Sequence, residues 1–144
     1  MKRLFLFLTL MVTVLCVGGC SDFGFNPTGY WQFVSDDLYA NDELVDSANP
    51  ENTPLLGNIV MVFEKSGMGY IDIGGLKTDF FRYSYDSKTV TVVYLPNEHH
   101  NDEVTVKFSV SQVNNNIYRT TTEEQKDSDG NTIKYEEIFS YKRI

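Results

Sequence analysis

Residues 78–95 read TDFFRYSYDSKTVTVVYL. Phe81, Tyr83 and Tyr85 alternate with Arg82 and Ser84, so one set faces one way and the other set the opposite way. Asp86-Ser87 interrupts the run with turn-forming residues, and a second run rich in β-branched residues follows at once (Lys88–Leu95). Period-two alternation on both sides of a short turn is the pattern of a β-hairpin with one buried face. After the first 20 residues no long stretch places apolar residues at i, i+3, i+4 and i+7, the spacing an amphipathic helix needs.

The same pattern extends in both directions. Upstream are strand-like runs at Gly29–Ser35, Asn58–Lys65 and Met68–Ile73, separated from their successors by Ser66-Gly67 and Gly74-Gly75. The hairpin supplies Thr78–Asp86 and Lys88–Leu95. Downstream are Glu103–Val113, Ile117–Gln125 and Thr132–Arg143, divided by Asn114-Asn115-Asn116 and Asp129-Gly130. Val104, Val106, Phe108 and Val110 oppose Thr105, Lys107, Ser109 and Ser111. Tyr135, Phe139 and Tyr141 oppose Lys134, Ser140 and Lys142, with Glu137 on the apolar face and Ile138 on the polar one. Aromatic residues are dense, at 10 Phe, 9 Tyr and one Trp, which suits strands. Eight consecutive strands joined mostly by short turns imply an up-and-down antiparallel meander. Closing it into an eight-stranded barrel removes the exposed edges that invite aggregation. The interior of such a barrel is either filled by side chains or holds one small ligand. Trp31, Phe33, Phe63, Phe81, Tyr83, Tyr85, Phe108, Phe139 and Tyr141 are the residues expected to form that core or line that pocket.

The chain begins MKRLFLFLTLMVTVLCVGGC. Lys2 and Arg3 precede a mostly apolar run from Leu4 to Val17. Gly18 and Gly19 then place small residues before Cys20, as in a secretory signal with its cleavage site. The apolar run is shorter than the roughly 20 residues that a spanning helix needs. Val17-Gly18-Gly19-Cys20 resembles the lipobox of bacterial lipoproteins, which implies cleavage before Cys20 and a lipid on its sulfur. On this reading residues 1–19 are a cleaved signal helix, residues 20–28 a lipidated tether, and residues 29–144 a single β-barrel domain. The protein is then a membrane-anchored component of the bacterial cell envelope, on the outer membrane or the periplasmic face. Cys16 leaves with the signal, so the mature chain has neither disulfide nor free thiol.

Lys2 and Arg3 leave as well, so ten basic residues face 20 acidic ones. A domain so acidic repels phosphate backbones, which excludes nucleic acid as a natural partner. It is also repelled by anionic head groups, so its hold on a membrane rests on lipid alone.

Gly29-Tyr30-Trp31 matches the G-x-W that opens the first lipocalin strand. With F-x-x-x-G-x-G-x at Phe63–Tyr70 and F-x-Y-x-Y at Phe81–Tyr85, the ordered set resembles the small lipocalin-like lipoproteins of Bacteroidota over residues 29–144. The resemblance implies that Trp31 closes the barrel base and that a basic residue of the last strand, Arg143, packs over it. The chain departs from lipocalins in being shorter and in lacking disulfides and a C-terminal helix.

Other constellations carry less chemistry. Residues 36–57 read as a long polar loop. Asp36, Asp37, Asp42, Glu43, Asp46 and Glu51 make it a solvated surface, a lid over the barrel mouth, or a weak site for calcium, which takes oxygen ligands. Leu38-Tyr39 within it is a candidate for one helical turn packed on the mouth. Residues 127–131 (DSDGN) lack the Gly and Glu spacing of an EF-hand and read as a hairpin turn. His99 and His100 are adjacent, so on extended chain they point apart and make a poor metal pair. No nucleophile elbow, phosphate loop or Cys nucleophile is present. The sequence therefore points away from an enzyme and from any cofactor. It points to an envelope protein that binds a small apolar ligand or a protein partner, with a packed accessory barrel as the alternative and an enzyme on lipid or glycan as the remoter one.

Overall fold

Each turn signal between residues 66 and 131 does what its chemistry allows. Gly67, Gly74, Gly75 and Gly130 take positive φ, as does Asn115, and the chain reverses at each site. The structure, a computed structural model, describes residues 24–144. The expected signal segment, and Cys20 as the expected lipidation site, lie outside the described residues. Nine strands run in order: β1 (Gly29–Ala40), β2 (Glu43–Ala48), β3 (Ile59–Phe63), β4 (Met68–Ile73), β5 (Leu76–Tyr85), β6 (Thr89–Tyr94), β7 (Val104–Val110), β8 (Ile117–Lys126) and β9 (Thr132–Arg143). A short 3₁₀ turn at Pro54–Asn58 precedes β3.

From β3 to β9 each strand pairs antiparallel with the next, and β1 pairs with both β3 and β9. The result is a closed, antiparallel, eight-stranded up-and-down barrel of β1 and β3 to β9. The ninth strand, β2, is an addition. It continues the edge of β1 where β3 leaves off: Gly29 to Gln32 run antiparallel opposite Phe63 to Val60, and Asp36–Ala40 lie opposite Glu43–Ala48.

This corrects the reading of residues 36–57 as one loop, and of Leu38-Tyr39 as a helical turn. β1 runs on to Ala40, paired residue for residue with β9 down to Ala40 opposite Tyr135. Asn41 and Asp42 both take positive φ, the two-residue turn that suits a twisted hairpin. The Lys134 amide donates to Asn41 Oδ1 at 3.0 Å and the Asn41 amide to the Lys134 carbonyl at 2.9 Å. Pairing to β9 therefore overrides the low strand preference of the acidic run.

One irregularity has a large effect. Phe33 pairs with Tyr141, but Ser35 pairs with Ser140, so Val34 is a bulge. Before the bulge the odd-numbered residues Trp31 and Phe33 face the interior. After it the even-numbered ones do, Asp36, Leu38 and Ala40, since a one-residue slip exchanges the faces.

The core fills the end of the barrel where β1 begins. Trp31, Met61, Phe63, Ile71, Phe81, Val90, Val92, Phe108, Val110 and Ile117 are buried there. Edge-on aromatic contacts link Trp31 to Phe63 (6.5 Å), Phe63 to Phe81 (5.2 Å) and Phe81 to Tyr94 (5.6 Å), geometry that matches ring edges to faces.

Candidate functional site

The two ends of the barrel differ, and the difference defines the candidate site. At the base, the Arg143 guanidinium lies 4.7 Å from the centroid of Trp31, which is fully buried. The Trp31 indole N–H donates to the Pro27 carbonyl at 2.6 Å. Arg143 also donates to the Thr28 carbonyl at 3.0 Å and to the Asn26 carbonyl. Phe25 packs 5.9 Å from Trp31. Residues 25–28 are thus drawn across the base as a plug.

Of the nine aromatic residues singled out by the sequence, five are buried: Trp31, Phe33, Phe63, Phe81 and Phe108. Tyr83 is part-buried, and its hydroxyl donates to the Glu64 carbonyl at 2.6 Å. Tyr85 is not core: it is 46% exposed and stacks on Tyr83 at the base rim (6.3 Å). There it lines an open recess with Asn26, Thr28 and Arg143, outside the barrel interior. Phe139 and Tyr141 lie on the inner face of β9: Tyr141 packs on the core, 5.7 Å from Phe33 and 5.9 Å from Phe108, and Phe139 lies one row nearer the other end, the mouth.

At the mouth the interior stops being filled. Register places Ile73 opposite Ile59 and Leu76, and Val104 opposite Tyr94, all on the inward face. Yet Ile73 is 46% exposed, Leu76 70% and Val104 43%. Inward-facing aliphatics normally bury themselves, so these line an open mouth. From the strand order, β4 and β5 stand across the barrel from β8 and β9.

That facing wall is charged. Opposite pairing puts Asp36, Phe139 and Arg119 in one row on the inner face, and Leu38, Glu137 and Thr121 in the next. The Arg119 guanidinium lies over Phe139, 4.7 Å from its centroid. Its Nε is buried with no hydrogen-bond partner. Among the described residues Arg119 has no ion pair within 4.0 Å. Burial raises the Asp36 carboxyl above its ordinary value. Glu137 and Asp37 add to the rise, and Arg119 opposes it. Burial likewise pushes the Tyr141 hydroxyl up to about 12 and raises that of Tyr94. Both phenols are neutral donors at any physiological pH. Beyond Arg119 the inner wall continues as a groove of about 410 Å³ lined by Leu38, Thr121, Glu123, Gln125, Tyr135 and Glu137.

Arg119 and Tyr94 escaped the sequence reading, and Asp36 entered it only as one carboxylate of the acidic loop. Arg119 was legible: it follows Ile117 by two, and Ile117 is fully buried, so both share a face. Asp36 was not, because its inward direction depends on the Val34 bulge. The remaining acidic residues of 36–51 are scattered. Asp37 faces outward and accepts from Ser35 (2.9 Å) and Ser47 (2.6 Å). Among the described residues no three of His, Cys, Asp or Glu stand together as metal ligands. His100 Nδ1 lies 2.8 Å from the Asp102 carbonyl in a surface loop.

Comparison with protein-family models, with curated proteins and with solved structures returns no match to this chain. The class that fold and site define is therefore structural: a closed antiparallel barrel, plugged at one end and open at the other.

Proposed function

We propose that this protein is a lipid-tethered binding module of the bacterial cell envelope, held through Cys20, whose barrel mouth takes one small amphipathic ligand. The observation that carries the reading is the pairing of exposed, inward-facing Ile73, Leu76 and Val104 with the inner row of Asp36, Arg119 and Glu137. An apolar body has a wall to cover, and a polar end has charged and phenolic groups to meet. The solid base sets the depth, so a ligand sits at the mouth and not deep in the barrel.

The plug gives the module an orientation. Residues 25–28 are fastened to the base, and Cys20 precedes Gly24 by four residues, at most ~15 Å of extended chain. A lipid on Cys20 therefore holds the base near the bilayer and turns the mouth away from it. The lipocalin-like motifs, the lipobox and the barrel all suit this reading.

The test is native mass spectrometry of the mature protein from an envelope extract, with uptake of an apolar fluorescent dye. A mass above that of the lipidated chain, and dye uptake abolished by Leu76→Glu, are the expected results. Identical masses before and after solvent extraction, with no dye uptake, would leave a packed accessory barrel.

A further inference from the structure

Closure of the barrel is incomplete at one seam. β7 and β8 pair at Ser109–Tyr118 and Val110–Ile117 and nowhere else, although β8 continues to Lys126. The amide of Ser111 donates to the Asn116 carbonyl (2.8 Å). Even-numbered residues of β8 therefore direct their backbone groups toward β7, by the alternation of an antiparallel ladder. At the far hairpin the Asp127 amide donates to the Asn131 carbonyl (3.0 Å), so odd-numbered residues face β9, in agreement. Thr120, Thr122 and Glu124 thus hold N–H and C=O groups along an edge with no strand beside it.

We propose that this edge of β8 is a docking site for an extended, basic segment of a partner protein, which adds to the sheet as a further strand. Strand addition supplies main-chain hydrogen bonds, and side-chain neighbours supply the selection. The neighbours here are Glu123 on the inner face, beside the groove with Leu38, Tyr135 and Glu137, and Glu124 on the outer face. Among the described residues neither Glu123 nor Glu124 has an ion pair within 4.0 Å. Asp127 and Asp129 follow at once. Consecutive Lys or Arg residues on the added strand would meet both carboxylates, one on each face, as opposite-charge cross-strand pairs. The outer edge of β2 is a weaker template, because β2 is short and its pairing with β1 slips between Leu38 and Tyr39. Irregular, short edges are the ones proteins use to block pairing. β8 has ten residues in unbroken register with β9, and no proline.

The probe is a fluorescent octapeptide of threonines with two adjacent lysines at its centre, with its glutamate counterpart as control, added to the full mature protein in mild detergent at physiological salt. Expected are binding by anisotropy at least about tenfold tighter for the basic peptide, from two favourable pairs replacing two unfavourable ones, and slowed amide exchange at Thr120, Thr122 and Glu124. Thr122→Pro deletes an edge donor without touching the β8–β9 ladder and should abolish that protection. Glu123→Lys with Glu124→Lys should invert the peptide preference. Leu76→Glu should leave peptide binding intact while removing dye uptake, which separates this site from the mouth. Equal binding of both peptides, no protection at those three amides, or protection present without peptide in a dimer of this chain would overturn the proposal.

Discussion

Gly69→Ala tests how tightly the barrel is closed. A Cβ at Gly69 would lie 2.3 Å from Phe81 Cε2, 2.4 Å from its Cζ, and 2.3 Å from the Val62 carbonyl oxygen. Real carbon contacts do not approach so closely, so something must move. Phe81 is fully buried and held by Phe63 and Tyr94, so its ring has nowhere to retreat. The Val62 oxygen belongs to backbone in the β3–β4 ladder, whose registered pairs run from Ile59–Ile73 to Phe63–Gly69. Overpacking a filled core costs about 1–3 kcal/mol. With one obstruction in backbone, the upper end applies, and about 3 kcal/mol lowers Tm by roughly 10 °C in a domain of this size. Urea denaturation followed by Trp31 fluorescence is the assay, since Trp31 is the only tryptophan and is fully buried. Gly67→Ala is the control. Gly67 has φ +85° and open space around its Cβ, so an alanine there meets no atom and costs only the strain of a left-handed backbone, about 1–2 kcal/mol. A Gly69→Ala variant as stable as Gly67→Ala would refute the packing argument.

Three further outcomes are expected. Arg143→Met should remove the cation–π contact and both carbonyl bonds, lower Tm by a few degrees through a loss of about 1–2 kcal/mol, and expose residues 24–28 to limited proteolysis; unchanged cleavage would show that the plug holds without it. Asp36→Asn should raise Tm at pH 7 but not at pH 3. The folded carboxyl holds its proton more tightly than the unfolded one, so its ionisation starts to destabilise the fold as pH climbs past the ordinary 3.8 and does so fully above the folded value; an equal gain at both pH values would contradict this. Cys20→Ala should leave an uncut, unlipidated precursor, seen as a slower band on a gel, and normal processing would refute the tether.

Much of the barrel was legible because its turns are chemically explicit. Ser66-Gly67, Gly74-Gly75, Asp86-Ser87 and Asp129-Gly130 each mark a reversal, and alternation between them states which side is buried. The stretch 36–48 was not legible, because six acidic residues in 36–51 look solvated on local grounds. There the strand exists because β9 lies beside it, and Lys134 fixes its turn. The candidate site was half legible: Glu137 broke the pattern of β9 and Arg119 followed that of β8, but neither pointed to the other.

By itself, the sequence determined that residues 29–144 form antiparallel strands around an aromatic core, since period-two alternation and turn residues are local properties. Only the tertiary structure decided where the interior is full and where it is open. That outcome rests on a bulge at Val34, which turns Asp36 inward, and on the divergence of β7 from β8, which leaves an edge unpaired. Both depend on which backbone lies across the ladder, and one chain's residue order does not contain that information locally.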